Sequence, residues 1–506
     1  MRRNNAGIPS ATLELYAPCR CCLQRRRICG RVVRLVCFTA AVAALGAALD
    51  VYVGWKRSPR DSNAVLECVE RNMVSRYTLR NHLRSHAGQH GSSRFFEDPL
   101  ADELQRELVA AQLCSDNPCR STAYLPVKGP GFDRHTSGLG SRFSSIAATL
   151  HFARSLDRPM FTQHETGGWA YTDGARCASR DHTCYFHRLT SCQEDDVDDL
   201  WAPPDWFRWP YGLIVSDWPN PVRGLQRYVW TDHSIPLRYY WETTITGRRL
   251  PAKYRERGWL WYHSQMLFFV LQPLPEVLST VVKKKALVKT GNEDTPGSFA
   301  AERPVIAMHV RQGDKVKEKV ATQFDCYMAV AERYRQETGV RDIWLLSDDD
   351  TLVQSAEKMY PAFNFLYNAV NASNGGGRFS NASLPTVAAL DAGQLNGREV
   401  AMDGLTDILI AVECDYFIGT LSSNFGRTVL KLMYASYGYL PPHTGMDAVS
   451  NDWAGKPFSW EFRPVPQLQP LLPGWAWRDS HTSTTSGVDG QEPTCGALVT
   501  FNYHVG

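Results

Sequence analysis

The sequence predicts an α/β protein with a doubly wound parallel sheet in its C-terminal half, preceded by one transmembrane helix. Three observations predict it. Between about Arg303 and Gly455, short apolar runs alternate with helical periodicity, the pattern of successive βαβ units. Within that region Val305-Ile-Ala-Met-His-Val310 is an unbroken apolar run apart from His309, as in a strand buried on both faces. Near the N-terminus, Leu35–Trp55 is apolar at all but a few positions, close to one bilayer span of about 20 residues.

The N-terminal run contains Asp50 near one end, where water is close. Arg25, Arg26, Arg27, Arg31 and Arg34 precede it, so the short tail stays cytosolic and the rest enters the secretory lumen as a single-pass type II protein. A cleaved signal peptide and an Arg-rich transit peptide are the other two readings. Residues 1–34 are then the tail, 35–55 the signal anchor and 56–120 a polar stem, with Asp98-Pro99 opening a helix that carries Leu100, Leu104 and Leu108 on one face. A first lobe spans 121–300. Its glycine-containing loop, Gly131 to Phe143, leads into Ile146, Leu150 and Ala153 at helical spacing, and Trp259 to Leu278 reads as a helix broken at Pro273 and Pro275. A second lobe spans 301–455. Strands are expected at 305–310, 343–346, 363–367 and 416–419, with helices at 323–338, 351–359, 402–412 and 425–434. Residues 456–506, rich in Pro, Trp, Ser and Thr, form an extension with no expected fold.

The formal charge of +3 is a terminal feature. Met1–Arg57 holds ten Lys/Arg and two acidic residues, and the other 45 basic and 50 acidic residues leave the remainder at −5. Nucleic acid is therefore not an expected partner. Of 14 cysteines, Cys19, Cys21, Cys22, Cys29 and Cys37 precede or fall within the span, leaving an odd number on the lumenal side. Cys177, Cys184 and Cys192 cluster near His182 and His187, either as disulfides or as an irregular zinc set, and disulfides suit an oxidising lumen. The sequons Asn371-Ala-Ser373 and Asn381-Ala-Ser383 agree with a Golgi lumenal placement.

Chemistry concentrates at three strand ends. Arg311, Asp314 and Lys315 follow the strand 305–310, where an arginine can grip a diphosphate with paired N–H···O bonds and never loses its charge. Ser422-Ser-Asn-Phe-Gly-Arg427 follows the strand 416–419 and opens a helix, a place that suits either an anion or ordinary capping by Ser422 or Ser423. Asp348-Asp-Asp350 follows the strand 343–346, where acids either hold a divalent ion or cap the next helix. His309 reads equally as a core histidine or a ligand contact.

Taken in order, these residues resemble the α1,6-fucosyltransferases and their bacterial nodulation relatives. His309-Val-Arg311 with Asp314 and Lys315 looks like the family's H-x-R-R-x-D-K signature. Gly138-Leu-Gly140 is similar to the early glycine loop, and Trp261 to Pro273 to the helix before the signature strand. Leu346-Ser-Asp-Asp349, Asp407 and Ser422-Ser-Asn424 with Arg427 match later motifs in order. The resemblance covers roughly residues 121–455 and implies a GT-B-like pair of Rossmann-like lobes, an inverting transfer of fucose from GDP-fucose to a glycan, and no metal or other cofactor. It implies that Arg311 offsets charge on the leaving β-phosphate, with Asp314 and Lys315 beside it and Glu318 as base. His309 and Asp407 would meet the guanosine part, Ser422, Ser423 and Asn424 the phosphates, and Gly138, Leu139, Gly140 and Ser141 would close over them. An N-glycan core is the implied acceptor.

The chain departs from the family pattern at several points. Gln312 stands at the signature's second arginine, Lys319 at its glutamate, and Gly419 and Gly426 where animal members carry a cysteine pair. No SH3-like pattern follows residue 455. The other functions to weigh are a metal-dependent transferase using Asp348–Asp350, a non-catalytic nucleotide- or glycan-binding protein, and a membrane-tethered interaction protein with no nucleotide site.

Overall fold

The computed structural model describes residues 62–86, 95–114, 138–155, 159–162, 169–192, 250–285, 304–311, 322–368, 389–390 and 392–446, together with strands at 123–125, 229–230, 475–481 and 499–505. The expected anchor, both sequons, the stretch 312–321 with Gln312, Asp314, Lys315, Glu318 and Lys319, and Cys119 lie outside the described residues. No described helix is long and apolar enough to cross a membrane.

The described chain belongs almost wholly to one compact unit beginning at Val65. Its main sheet takes β4 (Val305–Val310), β5 (Asp342–Ser347), β6 (Asn364–Leu366), β7 (Tyr416–Gly419) and β8 (His443–Gly445), all parallel. Two antiparallel strands, β9 (Trp475–His481) and β10 (Val499–Val505), complete the order β6-β5-β4-β7-β8-β10-β9. The extension for which no fold was expected thus supplies two strands of the sheet. A separate three-stranded sheet pairs β1 (Ala123–Leu125) in parallel with β2 (Met160–Thr162) and β3 (Val229–Trp230), a smaller first-lobe sheet than the doubly wound one.

Alternation along the central strands divides two cores. Ile306, Met308 and Val310 of β4, Ile343 and Leu345 of β5, and Ile418 of β7 pack with α7 (Phe324–Thr338) and α8 (Asp350–Met359). Val305 and Ala307, Trp344 and Leu346, and Phe417 face the other way, toward α9 (Gly397–Val412) and α10 (Asn424–Tyr437). Side chains two apart share a face of a strand, so His309 belongs to the second side. Helix ends follow simple chemistry. Asn396 accepts from the backbone N–H groups of Arg398 and Glu399 to start α9, and Gly339 and Gly438 close α7 and α10 at φ +76° and +79°, which glycine adopts without a Cβ clash.

The second core extends into the first lobe through α4 (Leu139–Ser155) and α5 (Gly258–Val270). Every residue of α5 from Trp259 to Val270 is buried, so this helix is enclosed all round rather than along one stripe. Leu271 caps it, and Pro275 starts α6 (Pro275–Lys285), as the proline breaks anticipated.

The segment expected as a stem differs from expectation. α1 (Ser62–Arg76), α2 (Thr78–His86) and α3 (Pro99–Leu113) pack Val69, Met73, Leu79, Leu83, Leu104 and Leu108 into the same core. Polar composition masked an amphipathic pattern with one buried face. Cys68–Cys114 ties α1 to the end of α3, and the Arg80 guanidinium donates to the Ala435 carbonyl of α10 at 3.0 Å. Asp98 caps α3, accepting from the N–H groups of Leu100 and Ala101, as its position predicted.

Burial lowers the pKa of four enclosed histidines, to about 3 for His151 and His309, about 4 for His443, and well down for His263. They stay neutral while folded, whereas the unfolded chain takes up protons below about pH 6.5. Stability should therefore be full above pH 6.5 and fall steadily as pH drops from 6.5 toward 4. Thermal melts across that range check it, and a flat melting temperature would contradict the burial.

Candidate functional site

From β4 the chain moves outward through β5 to β6, then returns to lay β7 and β8 on the opposite side of β4. The strand order reverses between β4 and β7, and open α/β sheets bind ligands beyond the carboxyl ends at such a point. Arg311 directly follows β4, and Thr420–Asn424 follow β7. The two sequence motifs are therefore neighbours across one crevice.

His309 holds the floor of that crevice. It pairs with Gly419 across β4 and β7, and its carbonyl accepts from the Thr420 N–H at 3.2 Å. Its buried ring stacks on Phe425 at 5.5 Å between centroids, 23° apart in plane. A Cβ on Gly426 would stand 2.7 Å from His309 Nδ1, and one on Gly419 would stand 3.3 Å from His309 Cβ and 2.5 Å from the Phe417 ring. Glycine is required at both positions because the imidazole and the Phe417 ring fill the space a side chain would need. Burial first, and the Arg311 charge second, keep this imidazole neutral.

The early glycine loop closes the crevice from the first lobe. Gly138 accepts from the N–H groups of Ser141 and Arg142 at 3.0 and 3.2 Å, starting α4. A Cβ on Gly140 would lie 2.6 Å from the Phe425 nitrogen and 2.8 Å from the Asn424 carbonyl carbon. The N-termini of α4 and α10 thus meet backbone to backbone. Asn424 Nδ2 donates to Ser141 Oγ at 2.7 Å, and Arg427 donates to Asn424 Oδ1 at 2.6 Å, which fixes the amide orientation. Ser423 occupies the N-cap position of α10 in extended conformation without capping through its side chain. Ordinary capping therefore does not account for this serine. Two helix N-termini facing one space give converging N–H groups and positive partial charge, the requirement for an anion.

Arg311 forms an ion pair with Asp348, which follows β5; the pairing of Val310 with Ser347 makes the two residues neighbours. The acidic triplet divides. Asp348 faces Arg311, Asp349 accepts from the Leu352 N–H at 3.4 Å near the start of α8, and Asp350 is that helix's first residue. Among the described residues no group of three His, Cys, Asp or Glu is placed to hold a metal. Cys177 and Cys184 are joined as a disulfide, Cys192 and Cys326 are also disulfide-bonded, and Cys414 is a buried free thiol. Asp407 is buried on α9, and its backbone carbonyl accepts from Trp344 Nε1 at 3.4 Å. Leu139 is buried beside Gly404 of that helix.

Sequence reasoning passed over three residues here. Arg142 on α4 and Lys431 on α10 are buried, as is Arg427, and Phe425 stacks on His309. Lys431 and Arg427 both depress the pKa of His263 on α5, after burial itself. The signal was present: Lys431 stands one helical turn beyond Arg427 on an otherwise apolar stretch, and Arg142 follows Ser141.

Residues 249–439 match the model for alpha-(1,6)-fucosyltransferase N- and catalytic domains. Within that segment the chain is similar to the fucosyltransferases of that family. The alpha-(1,6)-fucosyltransferase of Drosophila melanogaster is 24% identical over 186 residues, which is 35% of this chain and 26% of the relative. The matched part thus spans about a quarter of that fucosyltransferase. Among solved structures, fucosyltransferase NodZ from Bradyrhizobium is similar at 13% identity and a TM-score of 0.35, covering 65% of this chain and 96% of its own. A point mutant of Arabidopsis thaliana FUT1 in complex with GDP is similar at 12% identity and a TM-score of 0.36, covering 76% and 81%. The fucosyltransferase match takes in α5, β4, the acidic triplet, α9 and the whole of α10, and leaves the glycine loop of α4 outside.

The backbone contact at Gly140 gives a paired prediction. Gly140→Ala should destabilise the chain by about 1–3 kcal/mol, the usual effect of overpacking. Gly138→Ala, with nothing within 4 Å of its new methyl, should be close to neutral. Chemical denaturation compares the two, and equal midpoints would show that the helix ends do not touch.

Proposed function

We propose that this protein transfers fucose from GDP-fucose to a glycan acceptor, with inversion and without a resident metal or other cofactor. One observation carries the reading: an arginine follows β4 at the topological switch point, and the start of α10, which follows the adjacent β7, meets the start of α4. That arrangement suits a diphosphate leaving group. As the anomeric carbon–oxygen bond breaks, negative charge grows on the β-phosphate oxygen. Arg311 offsets it electrostatically, in the role a divalent ion plays in other transferases. The N–H groups at the start of α4 and α10, with Ser141, Ser422, Ser423 and Asn424, bind the remaining phosphate oxygens. His309 acts from beneath by propping Phe425 and α10.

The acceptor hydroxyl attacks the anomeric carbon from the opposite face and must lose its proton. By the family's pattern Glu318 takes it, with Lys315 and Asp314 alongside. Asp407 lies on the helix that would border the guanosine part. The N-glycan core is the acceptor implied by the sequence resemblance. Golgi residence behind a type II anchor rests on Leu35–Trp55 and the arginines before it, and the disulfides Cys68–Cys114 and Cys177–Cys184 agree with an oxidising lumen.

Transfer from a panel of sugar nucleotides to N-glycan acceptors tests this. GDP-fucose should be the productive donor, and Arg311→Ala should lower the rate by about a hundredfold or more. Activity with UDP-sugars alone, or an undiminished Arg311→Ala, would refute the proposal. Loss of activity in EDTA restored by Mn²⁺ would favour the acidic triplet as a metal site instead.

A further inference from the structure

A third helix, α9, borders the contact between α4 and α10. The first two meet through backbone, since a Cβ on Gly140 would stand 2.6 Å from the Phe425 nitrogen. α9 meets them through side chains. A Cβ on Gly404 would stand 3.3 Å from Leu139 Cδ2 and 3.7 Å from Phe425 Cε2. Leu139 is the first residue of α4, and Phe425 lies in the first turn of α10. Side chains from the starts of both helices therefore converge on one notch in α9.

A glycine in mid-helix is destabilising relative to alanine, so one that persists there has a packing reason. Here the reason is room for the buried Leu139 and for the edge of the Phe425 ring, whose face stacks on His309. Asp407 follows Gly404 by three residues, on the same side of α9 and about 4.5 Å farther along its axis. The ion pair of Asp403 with Lys284 ties the same turn of α9 to α6. The approach of α9 to the paired helix starts thus depends on how little volume residue 404 carries.

We propose that the contact of Leu139 with Gly404 determines nucleobase choice, by holding Asp407 at the distance from the phosphate-binding helix starts that guanosine requires. The inference rests on reading the crevice as a GDP site. Guanine presents a ring N–H and an amino group side by side, two donors that one carboxylate accepts together, whereas uracil presents one N–H between two carbonyls. The diphosphate end depends on the backbone contact of α4 with α10, in which Gly404 takes no part. Enlarging residue 404 therefore displaces the base end and spares the phosphate end. Gly404 is a positioning residue that acts through Asp407.

The test is calorimetric titration of the full-length chain with GDP, UDP and inorganic pyrophosphate. The parent should bind GDP at least about tenfold more tightly than UDP, the margin of one charge-assisted contact. Gly404→Ala should narrow that margin and Gly404→Val should abolish it, while pyrophosphate binds both as it binds the parent. Leu139→Val removes one carbon, and adding it to Gly404→Ala should restore the margin. Leu139→Ala empties the notch without crowding α9 and should narrow the margin as well. A full margin in Gly404→Val or in Leu139→Ala, or a parallel loss of pyrophosphate, would overturn the proposal. A parent that binds UDP as tightly as GDP would overturn the GDP reading itself, and the proposal with it.

Discussion

The site depends on one close approach, the start of α4 against the start of α10, where no atom beyond hydrogen fits on Gly140. Helix N-termini carry like partial charge and do not seek each other. Here they are brought together by apolar burial behind them, with α5 enclosed between the two helices and the wider core. The Ser141–Asn424 hydrogen bond then sets the register of the contact. The packing brings the first turns of the two helices together, and the positive partial charge of both helix starts favours a negative group nearby.

The same logic explains the floor. His309 lies on the α9 and α10 side of β4, and its neutral ring fills the volume that side chains at Gly419 and Gly426 would need. Gly419 and Gly426 thus both make room for one imidazole. Arg142, Arg427 and Lys431 add buried positive charge around the paired helices. Asp348 holds Arg311 beyond the carboxyl ends of β4 and β5.

Much of the second lobe was legible. An unbroken apolar run such as Val305–Val310 has few alternatives to a buried strand, and Gly339 marks a helix end through a conformation that side chains avoid. Legibility failed where structure depends on distant partners. β9 and β10 are rich in polar residues, and their place in the sheet follows from the open edge of β8 rather than from periodicity. α1 and α2 looked like stem because the segment is polar, with arginine and histidine scattered from Arg80 onward, while Val69, Met73, Leu79 and Leu83 hold one buried face. At the site, the sequence identified Arg311, Ser422, Ser423, Asn424 and the glycine loop as candidates and left His309 open between two readings. It did not disclose that His309 stacks on Phe425, or that Asp348 and Asp349 take different partners, because both depend on the register between strands.

The most direct measurement is a crystal structure of the chain with GDP bound. The account predicts the diphosphate between the first turns of α4 and α10, with the Arg311 guanidinium within hydrogen-bonding distance of the β-phosphate. GDP lodged elsewhere, or bound there with Arg311 turned out of the crevice, would contradict it.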